Sequence, residues 1–98
     1  MPKLISMQAI KDQMSVLGPD ELILDVRTPE EFEEGHVPGA RNIPHEEVEK
    51  FIPELKQYKK ILLHCRSGKR AQIATAVLEK AGLTNIHCVA SGGWLDWS

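Results

Sequence analysis

Two cysteines are all this 98-residue chain contains, Cys65 and Cys88, and they form no CxxC pair. That is too few for a disulfide framework, and together with four histidines they lack the spacing of a structural zinc site. Charge of one sign is also missing: 12 Lys and Arg stand against 14 Asp and Glu, a net of −2. No general attraction to nucleic acid or to an anionic membrane surface is expected from that balance. Nor is there an apolar run long enough to span a bilayer, or an N-terminal Met1–Ser6 stretch with the core of a secretion signal. Repeats, linkers and low-complexity tracts are absent as well. These absences imply one soluble domain over residues 1–98 in a reducing, cytoplasmic setting, with no membrane and no nucleic-acid partner.

What the chain does have is an unusual stretch at its middle. Ile61-Leu62-Leu63-His64 ends in Cys65, Arg66-Ser67-Gly68-Lys69-Arg70 follows, and Ala71 to Leu78 is rich in Ala, Ile and Leu. The order predicts a buried strand, a tight turn and a helix start. A thiol at that junction faces turn N–H groups and the positive end of a helix dipole, and three cations surround it. Each of these favours an anionic sulfur and anionic ligands. A core cysteine would gain nothing from such a loop, so Cys65 is the candidate functional centre.

The flanking pattern predicts alternating elements. Ser6 caps a helix carrying Met7, Ile10, Met14 and Leu17, which Gly18-Pro19 stops. Leu22 to Val26 reads as a strand buried on both faces. Thr28, Pro29 and Glu31 spell a capping box with proline at the first helical position, and that short helix ends at Gly35. After the Val37-Pro38-Gly39 turn, Ala40 to Ile43 make a brief strand. Glu46 to Leu55 suggest a helix interrupted near Pro53, with the glutamates on a solvated face. The helix after Cys65 is expected to bury Ile73, Ala74, Val77, Leu78 and Ala81 before Gly82, and Asn85 to Val89 form a last strand. Strands alternating with helices imply an α/β fold with a mainly parallel sheet, and ligands in such sheets lie at the carboxyl ends of strands, where Cys65 falls.

Three segments carry a family resemblance over nearly the whole length: Asp25-Val26-Arg27-Thr28-Pro29-Glu30-Glu31-Phe32 with Gly35-His36-Val37-Pro38-Gly39-Ala40, then Cys65-Arg66-Ser67-Gly68-Lys69-Arg70, then Gly92-Gly93-Trp94 with Trp97. In this order they resemble a single-domain rhodanese. The resemblance implies a three-layer α/β fold, with five mainly parallel strands flanked by helices and the cysteine strand near the centre. It further implies a sulfurtransferase with no cofactor. Cys65 would take the outer sulfur of thiosulfate or a related small anionic donor as a persulfide and pass it to cyanide, a thiol or a protein acceptor. Arg66, Ser67, Gly68, Lys69 and Arg70 would bind the substrate, the cations orienting a dianion, and a monomer is expected. Gly68 supplies a positive φ or a close backbone approach. Ser67 donates through either its hydroxyl or its N–H, and Lys69 either contacts the donor or contributes field alone.

Rival readings share the same residues. One is a persulfide carrier whose donor or acceptor is another protein. A second is an inactive regulatory module, against which the intact thiol speaks. A third is a cysteine phosphatase or arsenate reductase, whose resembling loops place five residues between cysteine and arginine; here four separate Cys65 from Arg70, too short a cradle for a tetrahedral oxyanion. Adjacent strand residues face opposite ways, so His64 does not couple with Cys65 and is read as packing or a satisfied polar group. His36 is assigned a structural role, Asp25 and Arg27 a charge pair or loop-holding bonds, and Cys88 core filling rather than a resolving thiol. Trp94 and Trp97 close the domain, with Trp94 a candidate for the pocket rim.

Overall fold

The computed structural model describes residues 2–97. Its order is β1 (Lys3–Leu4), α1 (Met7–Gln13), β2 (Glu21–Asp25), α2 (Pro29–Glu34), β3 (Arg41–Asn42), a 3-10 turn (Val48–Phe51) leading into α3 (Ile52–Leu55), β4 (Lys60–His64), α4 (Lys69–Lys80), β5 (Ile86–Cys88) and a closing 3-10 turn (Trp94–Asp96). The five strands form one sheet in the order β1-β5-β4-β2-β3, and every pairing is parallel. The chain therefore has the α/β architecture its alternating pattern predicts, with the cysteine strand β4 in the middle.

Period-two alternation splits the buried residues between two faces of the sheet. Leu22, Leu24, Ile61, Leu63, Cys65, Ile86 and Cys88 join Ala71, Ala74 and Leu78 of α4 and Leu55 of α3 in one cluster. Ile23, Leu62 and Val89 face the other way onto Met7 and Ile10 of α1, with Trp94 and Trp97 packed alongside. Leu62 and Leu63 are both fully buried, on opposite faces. Burial of each stabilises the sheet by about 1.5–3 kcal/mol, which is why β4 takes the central place.

Local chemistry sets the helix ends. Ser6 accepts from the Ala9 N–H at 3.1 Å. Thr28 and Glu31 form the reciprocal capping box, with Pro29 opening α2. Two expectations are corrected and a third is sharpened. Ile73 is 44% exposed, because α4 turns Ala71, Ala74 and Leu78 to the sheet and leaves Ile73 on its outer side, while Val77 and Ala81 are only partly buried. The interruption near Pro53 is a change of helix type: the 3-10 turn ends at Phe51 and α3 begins at Ile52, with Pro53 in its first turn, where its missing N–H has no intrahelical partner to lose. And α1 stops at Gln13, with Met14 as its C-cap, four residues before Gly18.

Candidate active site

The three segments singled out in the sequence meet at one end of the sheet. Arg27 follows β2, Cys65 follows β4, and Gly92 to Trp94 follow β5, so parallel pairing carries all three to the same carboxyl edge. Cys65 itself is 1% exposed. The loop bends back over it, and Gly68 donates its N–H to Cys65 Sγ at 3.0 Å. Gly68 is the N-cap of α4, so the positive end of a 12-residue helix begins beside the sulfur.

Two glycines allow that bend. Gly68 has φ 111° and ψ −27°, a left-handed conformation, and a Cβ there would fall on the Ala90 carbonyl oxygen. Gly93 lies against the Cys65 and Arg66 carbonyl oxygens where a Cβ has no room. Its neighbours hold the loop by its backbone: Gly92 N–H donates to Ser67 O at 3.3 Å, Trp94 N–H to Cys65 O at 2.8 Å and Leu95 N–H to Arg66 O at 3.2 Å. The Gly92-Gly93-Trp94 segment is thus a clamp on the cysteine loop. Gly68→Ala should cost about 2–4 kcal/mol from backbone strain and overlap together; a urea denaturation midpoint checks it, and a loss below about 1 kcal/mol would mean the loop can give way.

The loop cations divide into two kinds. Arg66 and Lys69 are exposed. Arg70 is not free, contrary to the expectation of three available cations: its guanidinium forks onto Glu31, with Nη1 to Oε1 at 2.6 Å and Nη2 to Oε2 at 3.0 Å. The hydrogen bonds from Arg70 hold the Glu31 carboxyl down at about 2, with the Thr28 cap adding to the effect against a partial desolvation. Glu31 therefore does two jobs, closing the α2 cap and gripping the loop arginine. Sequence spacing revealed the first; the second joins positions 39 apart and left no local signal.

Beneath the loop lies a buried ionic cluster. Asp25 is 0% and Arg27 2% exposed. Arg27 Nε and Nη2 bond Asp25 Oδ2 at 2.9 and 2.7 Å, Nη2 also reaches Gly35 O at 2.7 Å, and the guanidinium lies 5.0 Å from the Trp94 ring centroid. This charge pair ties the β2 end to the α2 end, as expected of it. His64 points into the same face, away from Cys65 Sγ. Its Nδ1 donates to Cys65 O at 3.2 Å, while Nε2 has no hydrogen-bond partner and stands 4.0 Å from Asp25 Oδ2. Burial pushes the imidazole below its ordinary pKa, with Asp25 opposing, so His64 is only half satisfied.

His36 stacks on Phe32 at 3.7 Å and bonds its carbonyl at 2.8 Å, a surface brace. Cys88 is buried, and desolvation pushes its thiol pKa up. Leu63 pairs with Cys88 across β4 and β5. Two further residues along, Cys65 lies roughly 8 Å from Cys88 by strand spacing, too far for a disulfide without backbone movement. Trp94 stacks on Trp97 at 5.9 Å and also borders a cleft of about 330 Å³ shared with Arg27, Glu31, Glu34, Arg66 and Leu95.

Comparison with known proteins agrees with this geometry. The model of the rhodanese-like domain matches residues 6–98. A putative sulfur carrier protein of Bacillus subtilis, YrkF, is 38% identical over 95 residues, covering 96% of this chain; the chain spans 50% of that relative's length. The thiosulfate sulfurtransferase GlpE of Pseudomonas syringae is 31% identical over 90 residues, covering 92% of this chain and 78% of that one. Among solved structures, a rhodanese-related protein from Thermoplasma volcanium superposes with a TM-score of 0.80 at 28% identity, covering 97% of this chain and 89% of the other.

Proposed function

Because the chain belongs to the rhodanese-like domain family, we propose that it is a sulfurtransferase, a single rhodanese domain over residues 1–98 that carries sulfane sulfur as a persulfide on Cys65. The observation that supports this most is the Gly68 N–H aimed at Cys65 Sγ at the head of α4. In the first half-reaction the Cys65 thiolate attacks the outer sulfur of thiosulfate. A sulfur–sulfur bond forms on Cys65, the donor's sulfur–sulfur bond breaks, and sulfite leaves with its electron pair. In the second, cyanide or a thiolate attacks the outer persulfide sulfur and Cys65 returns as thiolate. Charge is conserved in both steps, and neither needs a cofactor. A persulfide is anionic and longer than the thiolate, so loop N–H groups and the α4 dipole suit it in place. In this reading Arg66, Ser67, Gly68, Lys69 and Arg70 are the residues that bind the donor. This reading carries with it a monomer in a reducing cytoplasm.

The test is intact-protein mass after incubation of reduced protein with thiosulfate or a small thiol persulfide, followed by gel filtration. One added sulfur atom is expected, removed by cyanide as thiocyanate. No added sulfur from either donor overturns the reading. A relay role, with a protein as true donor or acceptor, is favoured by the likeness to a putative sulfur carrier; transfer to an acceptor protein outpacing transfer to cyanide would select it.

A further inference from the structure

Charge pairing around the sulfur loop points beyond the transfer reaction to the kind of donor it takes, an inference that rests on the persulfide reading above. Arg70 stands in the first turn of α4, two residues after the Gly68 N–H that meets Cys65 Sγ, yet its guanidinium is held in a two-point fork by Glu31. Arg27, at the base of the neighbouring cleft, is matched by buried Asp25. Glu31 and Glu34 line that cleft together with Arg66. The sequence shows three loop cations; the fold answers Arg70 with a carboxylate and leaves Arg66 and Lys69 exposed.

Attack by a thiolate on thiosulfate brings one negative charge against two, and attack on a thiol persulfide brings one against one. Uncompensated cations are therefore worth more to the first reaction than to the second. We propose that Glu31 is a positioning residue that sets donor specificity, holding Arg70 at the loop while cancelling its charge, so that the site favours singly charged thiol persulfides over thiosulfate dianion. The transfer itself balances as before: the Cys65 thiolate takes the outer sulfur of the persulfide, the donor's sulfur–sulfur bond breaks, and the donor thiolate departs.

Glu31→Gln separates charge from structure. Glutamine at this position still closes a capping box with Thr28, and its amide oxygen still accepts from Arg70. The readout is the single-turnover rate of Cys65 loading by mass, with thiosulfate and with the persulfide of 2-mercaptoethanol as probes, at low and high salt. Wild type should load faster from the persulfide. In Glu31→Gln, thiosulfate loading should rise about threefold to tenfold and persulfide loading by less than about twofold, with the gain shrinking in high salt. The double variant Glu31→Gln/Arg70→Gln, neutral again at this pair, should return the ratio of the two rates toward that of wild type. A purely structural Glu31 would change both rates together. Equal effects on the two donors, no effect, or slower thiosulfate loading in Glu31→Gln overturns the assignment alone. Failure of wild type to load from either probe overturns it together with the persulfide reading. If Glu31→Gln does not fold, a donor ratio in Glu31→Gln/Arg70→Gln that departs from wild type also overturns it.

Discussion

Cys65→Ser should load no sulfur from any donor while keeping its fold, and Cys88→Ala should load as wild type does. The serine hydroxyl occupies nearly the volume of the thiol and can accept the same Gly68 N–H, so the loop loses no support. What it loses is the nucleophile: a hydroxyl is essentially unionised near neutral pH and has no sulfur-like affinity for a sulfur electrophile. Cys88 cannot take over, because burial pushes its thiol up and away from the thiolate form, and the strand register holds it out of reach of the loop. Trimming Cys88 to alanine removes one buried atom, at a cost of about 1 kcal/mol. Intact mass and peptide mapping after donor treatment read the outcome. Sulfur retained on Cys65→Ser, or mapped to the Cys88 peptide in wild type, would mean that the reactive thiol is the other one.

The second large effect is on stability. Asp25→Ala should cost about 3–5 kcal/mol, the usual price of leaving a buried charge unpaired. Arg27 is 2% exposed and would keep its guanidinium with the Gly35 carbonyl and the Trp94 face as remaining partners. Its backbone N–H, which donates to Asp25 Oδ1 at 2.9 Å, would lose its acceptor too. Against the 5–15 kcal/mol typical of a domain, that loss takes about a fifth or more of the total. Asp25→Ala/Arg27→Met should recover much of it, since removing both charges leaves no ion stranded. Urea denaturation of the two variants decides the matter. A loss below about 1 kcal/mol in the single variant would show that Arg27 reaches water or another counter-ion on its own.

Much of the site was legible from one dimension because its parts are local. Thr28, Pro29 and Glu31 lie within a single helix turn, so the capping box could be read from spacing. Strand, cysteine, glycine and helix follow one another without interruption, and that alone places a sulfur at a helix N-terminus. Even the direction of His64 followed from the two-residue period of a strand, which sets it on the face opposite Cys65.

Ile73 shows where such reading stops. An apolar residue in an apolar helix was expected inside, but which side of α4 meets the sheet depends on how the helix docks, and Ala71, Ala74 and Leu78 took that side. The same limit governs the cations. From Cys65 onward the chain writes three positive charges and no acid into its loop, and elementary chemistry makes that a site for an anion. How strongly positive the site remains was settled by α2, which brings Glu31 against Arg70 across 39 positions, and by β2, which buries Asp25 beneath Arg27. The order of residues determined the nucleophile and its helix end, because those are made by neighbours along the chain. Only the tertiary structure decided which charges cancel, because that depends on strands far apart in sequence ending at the same edge of one parallel sheet.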